Sequence, residues 1–324
     1  MKKKVLLISI DTEGDDLWNW RPGKEITTQN TAYIRRFQEL CDTYGFRPTY
    51  LTNYEMAADD HFVQFAKETL QYGGCEIGMH LHAWNQPPQY ELPERDDGIK
   101  SGCPYLIEYP DDVMEQKIAH ITQFLEERFG TRPIVHRAGR WATDSRYFSL
   151  LQKYGYLADC SVTPGMDWGT SAGFTNGSGG TDYTQFPSTP YTIPSTSILE
   201  IPVSIMKDHR IKIGNCKNIK HVLGSCYKAV KGYGHLWLRP NGKNLQDMLY
   251  LADRVYKSKS EYLMFMLHSS ELMPGGSWVF DNEEKIEKLY ADLKTLFAYI
   301  SRNYMGMTIG NYAQKLKSKG KLTC

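Results

Sequence analysis

A recurring punctuation constrains this chain more than any other feature. Tyr44-Gly45, Tyr72-Gly73, Phe129-Gly130 and Tyr154-Gly155 each follow a helix-like stretch and precede a short apolar run. Glycine there suits the left-handed residue that ends a helix. The glycines recur roughly every 28 residues, with one doubled interval, which is the length of a strand-plus-helix unit. The short runs are "VLLISID", "RPTYLTN", "CEIGMHLH", "RPIVHRAG", "YLADCSV", "ILEIPVSI" and "YLMFMLHSS". An unbroken apolar run such as the first is what a strand buried on both faces requires. Helical patterns cover residues 29–44, 60–72, 111–129, 144–154, 245–257 and 283–302. About seven such units predict an α/β chain folded as a parallel barrel or a wound open sheet.

Three regions break the rhythm. Residues 85–110 are polar, proline-containing and aperiodic, and residues 163–197 are rich in Gly, Ser and Thr. Long loops in a compact domain serve as lids or binding walls. Residues 207–231 carry Lys207, Arg210, Lys212, Lys217, Lys220, Lys228 and Lys231 against one acid, Asp208. That stretch is either a solvated face or a patch that reads phosphate. The net charge of +1 argues against a nucleic-acid or membrane-surface role for the whole molecule. The opening "MKKKVLLISIDTEGDD" imitates a leader, but its apolar run is too short and ends in acids. No stretch approaches the roughly 18 apolar residues of a membrane span. The seven cysteines are odd in number and lack a C-x-x-C, so they read as reduced thiols. The expectation is a cytoplasmic protein of one domain, residues 1–324, with insertions at 85–110, 163–197 and 207–231.

The chemistry gathers at the C-terminal ends of the expected strands. They end in Asp11-Thr12-Glu13, in His80-Leu81-His82, in His136-Arg137, at Asp159, and in His268-Ser269-Ser270-Glu271. Functional groups collect at this rim in parallel α/β architectures. Residues two apart in a strand share a face, so Asp11 sits with Glu13, and His80 with His82. Two imidazoles and a carboxylate suit a divalent transition metal and leave coordination positions open. The competing reading makes both histidines hydrogen-bonded core residues. His268, after "YLMFML", is either a satisfied core residue or an acid/base at the pocket. Arg137 is placed to hold Asp11 ionised, and Asp159 to fix the tautomer of His268. No phosphate-cradling loop or dinucleotide fingerprint occurs.

The order of these motifs resembles the polysaccharide deacetylases, the NodB-homology or carbohydrate esterase 4 superfamily, over residues 5–307. "SIDTEGD" resembles the motif whose first acid is the catalytic base and whose later acid binds metal, implying Asp11 as base and Glu13 as ligand. "EIGMHLH" resembles the metal-binding histidine segment, implying His80 and His82. "HRAGRW" implies Arg137 beside the base, "DCSVTPGMDW" implies Asp159 as partner of the catalytic histidine, and "LHSSEL" implies His268 as general acid. Two departures stand out. Thr12 separates acids that the family has adjacent, and His82 comes two residues before Trp84, where the family's second histidine would fall. The variant is similar to an H-x-H branch found beside polysaccharide-biosynthesis genes. The resemblance implies a distorted (β/α)7 barrel and a divalent metal, zinc foremost. It implies hydrolysis of an N-acetyl group on a saccharide, either a glycan or an activated-sugar precursor. An amide hydrolase with a non-sugar substrate and a catalytically silent glycan-binding protein are the alternatives. Oligomeric state is not legible.

Overall fold

The computed structural model describes residues 3–21, 23–93, 104–175, 179–210 and 234–320. Five strands open the chain: β1 (Lys4–Thr12), β2 (Pro48–Thr52), β3 (Glu76–Leu81), β4 (Val135–Ala138) and β5 (Ala158–Asp159). There follow β6 (Tyr191–Thr192), β7 (Leu199–Glu200), β8 (Ile205–Lys207), β9 (His235–Trp237), β10 (Tyr262–His268) and β11 (Tyr304–Gly306). The main sheet runs β10-β1-β2-β3-β4-β5-β7-β6, parallel throughout except for β6 at the edge, and β11 joins the first residues of β1 in parallel. Each of the seven apolar runs contributes one of its parallel strands. β8 and β9 form a separate antiparallel ribbon. This is a distorted (β/α) barrel.

The helices are α1 (Thr31–Thr43), α2 (Tyr54–Ala58), α3 (Asp60–Gln71), α4 (Asp111–Phe129), α5 (Ser145–Lys153), α6 (Leu245–Lys257), α7 (Glu283–Ile300) and α8 (Ile309–Ser318). Asp59, Asp144 and Asn282 start α3, α5 and α7 by accepting backbone N–H groups of the first turn. The punctuating glycines 45, 73, 130 and 155 have φ of +67°, +70°, +68° and +82°, so each takes the left-handed position its place in the sequence suggested.

Alternation along the strands divides the molecule into layers. In β1, Leu6, Ile8 and Ile10 pack in the cluster shared with the helices, whereas Val5 and Leu7 join the barrel interior. The same parity carries Ser9, Asp11 and Glu13 into the interior further up. In β10, Tyr262 and Met264 belong to the interior and Leu263, Phe265 and Leu267 to the outer layer. The interior is therefore apolar at the bottom and polar at the C-terminal rim. Ile309, Tyr312, Ala313 and Leu316 of α8 close the bottom. The start of α8 is tied down by Gly310, whose N–H donates to Glu76 (2.9 Å), and by Ile309, whose N–H donates to Thr49 (3.0 Å).

The loops are braced from below. Lys117 of α4 is buried and donates to the carbonyls of Gln86 (2.5 Å) and Pro88 (2.7 Å), pinning residues 84–92. Tyr183, in the 163–197 loop, donates to the carbonyl of Trp141 (2.6 Å). Residues 211–231, most of the basic stretch, lie outside the described residues. Within it, Arg210 donates to Asp208 and Asp247. No described helix is long and apolar enough to cross a membrane. Cys41, Cys75 and Cys160 are buried free thiols.

Candidate metal centre and active site

β1 and β3 deliver the three groups that can hold a metal. One ligand atom each from Glu13, His80 and His82 lie within 4.8 Å of one another, and all three residues are buried. The Oε2 of Glu13 stands 3.3 Å from His80 Nε2 and 2.9 Å from His82 Nε2. His80 Nδ1–H donates to the Arg137 carbonyl (3.0 Å), which turns Nε2 toward the centre. His82 sits close to backbone: a Cβ at Gly139 would lie 2.9 Å from its Nδ1. Burial pushes the Glu13 carboxyl up, but His268, His80 and His82 outweigh it and hold it well below the usual range. Burial pulls His82 below the ordinary imidazole value, toward the neutral form a metal ligand needs. An ionised carboxylate and two imidazoles whose Nε2 atoms converge on it fit a divalent transition metal.

Asp11 is on the same face of β1, one parity step from Glu13. Burial raises its carboxyl; Arg137, then His80 and His268, more than offset that and hold it below its ordinary value. Arg137 has no exposed surface. Its donors go to Asp11, to Ser9 Oγ (2.9 Å) and to the Cys160 carbonyl (3.0 Å), so the guanidinium is fixed. His268, at the end of β10, stands opposite β1 in register with Asp11. Its Nε2 lies 3.7 Å from Asp11 and 4.0 Å from Glu13. These residues enclose a cavity of about 210 Å³ walled by Trp18, Trp84 and Trp141.

The expected pairing of Asp159 with His268 is not made. Asp159 pairs across β4–β5 with His136, whose Nδ1–H donates to it, and Tyr147 donates to the other ring nitrogen (2.7 Å). Strand parity explains this. Arg137 faces the barrel interior, so its neighbour His136, and Asp159 in register with His136, face the helices. Glu200, in register with Asp159 on β7, is pushed well above the usual carboxylate range by burial and by the Asp159 charge. The carboxylate that serves His268 is Glu271, three residues further on. It accepts from His268 Nδ1–H (3.0 Å) and from the His268 backbone N–H (2.9 Å). Arg239 donates to the same carboxylate (3.0 Å). Glu271 stood in the rim motif "HSSE" and its spacing was a usable signal; nothing in the sequence pointed to Arg239.

Arg140 and Trp141, just beyond β4, are consecutive non-glycine residues with φ of +57° and +60°. Both line the cavity. Left-handed backbone at side-chain-bearing residues costs about 1–2 kcal/mol apiece and persists where the surroundings impose it. The Tyr183 hydroxyl on the Trp141 carbonyl is one such restraint.

No family model matches the sequence and no curated protein matches it. Solved structures do match. A protein from Mycobacterium smegmatis assigned as a polysaccharide deacetylase is 14% identical, and the match covers 99% of this chain and 93% of that one, with a TM-score of 0.54. The chain has the polysaccharide-deacetylase fold. The 4-alpha-glucanotransferase of Thermococcus litoralis matches 97% of this chain and 41% of its own, at 12% identity and a TM-score of 0.53. A GH57 branching enzyme of Thermococcus kodakaraensis matches 97% of this chain and 71% of its own, at 10% identity and a TM-score of 0.52. The polysaccharide-deacetylase fold thus shares its barrel with enzymes of different activity, and the reaction has to be argued from the site.

Proposed function

We propose that this protein is a metal-dependent hydrolase that removes an N-acetyl or related acyl group from an amino sugar. The observation that carries the reading is one cavity holding Asp11, His268 at 3.7 Å from it, and the Glu13–His80–His82 group. A divalent ion held by Glu13, His80 and His82, zinc by the donor set, would polarise the amide carbonyl and make water more acidic. Asp11, kept ionised by Arg137, takes the proton of the attacking water. Arg137 also holds the carboxylate in place, since its own donors are fixed by Ser9 and Cys160. His268 Nε2 gives a proton to the amine nitrogen as the C–N bond breaks. Glu271 holds Nδ1–H and so keeps Nε2 turned to the reacting atoms. Water supplies the oxygen of the new carboxylate, and the sugar leaves as a free amine. We read residues 1–324 as one domain in which Asn85, Tyr90, Tyr109 and Phe174, from described parts of the 85–110 and 163–197 loops, wall an open groove beside the cavity.

Acetate release from N-acetylated saccharides tests the reading, measured beside metal content. Asp11→Asn should lose about 10³-fold in turnover while keeping the metal of the wild type. Undiminished turnover in that variant would remove Asp11 as the base. A metal-loaded wild type that hydrolyses simple amides but no amino sugar would remove the sugar.

A further inference from the structure

Glu13 stands just beyond the end of β1, where the sheet no longer pairs the backbone. The last register pairs of β1 are Asp11 with His268 and Thr12 with Thr52. Glu13 is only 3% exposed, so its N–H and carbonyl need partners from within the protein. Side chains supply them. The Glu13 N–H donates to Ser269 Oγ (3.1 Å), and the Ser269 hydroxyl donates back to the Glu13 carbonyl (3.2 Å). Asn30 Nδ2 donates to the same carbonyl (3.0 Å). A serine hydroxyl has one proton, and here it goes to Glu13.

Both side chains are themselves held. Asn30, at the start of α1, is fully buried, and Nδ2 also donates to Asp15 Oδ1 (2.6 Å). A carbonyl and a carboxylate oxygen face Nδ2, and they fix which way round the amide lies. Asp15 in turn accepts from the Thr27 hydroxyl (2.8 Å) and from the backbone N–H groups of Gln29 (2.7 Å) and Asn30 (3.1 Å). Ser269 opens the short 3-10 helix Ser269–Leu272, directly after His268. Glu271 accepts from both the backbone N–H and the ring Nδ1–H of His268, so one carboxylate fixes this turn and that ring together. Ser269 and Ser270 are equally buried, but Ser270 Oγ has no hydrogen-bond partner among the described residues.

We propose that Ser269 and Asn30 are positioning residues of the metal centre. Together they set where the Glu13 carboxylate stands. Ser269, as the neighbour of His268, also ties that carboxylate to the proton donor, whose Nε2 lies 4.0 Å from it. The proposal rests on the metal-dependent reading above and adds two residues that act through Glu13.

Zinc affinity of the full chain is the test, read by competition with a chelator and without substrate. Ser269→Ala should weaken zinc binding about 10- to 100-fold, and Asn30→Ala by the same order. Ser270→Ala, the same change one residue on, should stay within about twofold of wild type. With cobalt(II) in place of zinc, the d–d absorption should change in Ser269→Ala and match wild type in Ser270→Ala. At saturating zinc, Ser269→Ala should lower kcat about tenfold and move KM less than about twofold, because Glu13 and His268 lose their spacing. Far-ultraviolet circular dichroism checks each variant, and Asn30→Ala carries the test if Ser269→Ala does not fold. Wild-type zinc affinity in Ser269→Ala and Asn30→Ala would overturn the proposal. So would a loss in Ser270→Ala as large as that in Ser269→Ala, or a wild type that takes up no divalent metal. Metal binding is read apart from turnover. Weakened zinc in the two variants, beside a wild type that releases no acetate, would sink the hydrolase reading and leave this one standing. Acetate release with zinc affinity unchanged in the variants would do the reverse.

Discussion

Glu271 shows how a single carboxylate can serve chemistry and stability together. Burial pushes its carboxyl up, and Arg239 and His268 outweigh burial and bring it from an ordinary 4.5 to about 2. A depressed carboxyl stabilises the fold above its unfolded value, and that stability is lost as pH falls through the folded value. Between pH 4.5 and 2 this group gives up roughly 3 kcal/mol. Urea unfolding should therefore find Glu271→Gln less stable than wild type at pH 6, with the gap closing toward pH 2. A gap independent of pH would mean that Glu271 is not ionised in the fold. Gly139 makes a second prediction. A Cβ there would meet the Leu81 carbonyl at 2.5 Å and His82 Nδ1 at 2.9 Å. Gly139→Ala should push His82 off the centre and weaken metal affinity about 10- to 100-fold, read by competition with a chelator. At this scale the sequence was legible wherever two residues belonged to one strand. D-x-E and H-x-H declare their shared faces by parity alone. The partner of His268 was misread because a pairing between distant segments depends on register. Register put Asp159 beside His136 on the helix side of the sheet.

Among the elements, the long periodic helices and the strands inside apolar runs were legible, and the short pieces outside those runs were not. α4 and α6 run over the residues their patterns mark, 111–129 and 245–257. Their apolar positions recur at helical spacing over three or more turns. α2 has five residues, β6 has two and β11 has three. Such pieces are too short to display a period and are held by their neighbours. The 163–197 loop was expected as a lid or binding wall, and its Tyr183 serves as a brace. Tyr183 is buried, donates to the Trp141 carbonyl at 2.6 Å, and lies 2.9 Å from the Thr143 hydroxyl. Tyr183→Phe keeps the ring and leaves that carbonyl unpaired. It should cost about 1–2 kcal/mol in urea unfolding and raise KM more than it lowers kcat, because the Trp141 wall loosens while Asp11 and His268 stay put. An unchanged KM would show that Trp141 is held by other contacts.

Across the whole molecule, the two ends of the barrel do different work. The rim carries every group assigned to chemistry, while α8 seals the apolar floor with Ile309, Tyr312, Ala313 and Leu316. Tyr312 is 1% exposed and its ring lies 5.5 Å from that of Tyr262. Tyr312→Ala should lower stability by about 3–5 kcal/mol. In the absence of denaturant the folded fraction should keep its turnover, since no rim residue touches that ring. A variant that loses turnover while still folded would tie the floor to the rim. The topology also dictates an order of events during synthesis. β1 is made before the strands it pairs with, and Val5 pairs with Tyr262 on one side and Met305 on the other. Until those distant residues leave the ribosome, "VLLISI" has one sheet edge bare and its apolar side chains uncovered, the form in which a nascent strand aggregates. Slow translation lengthens that wait, so fewer productive chains should come from slow translation than from fast, and yield should follow how well this strand is kept covered until its late partners arrive.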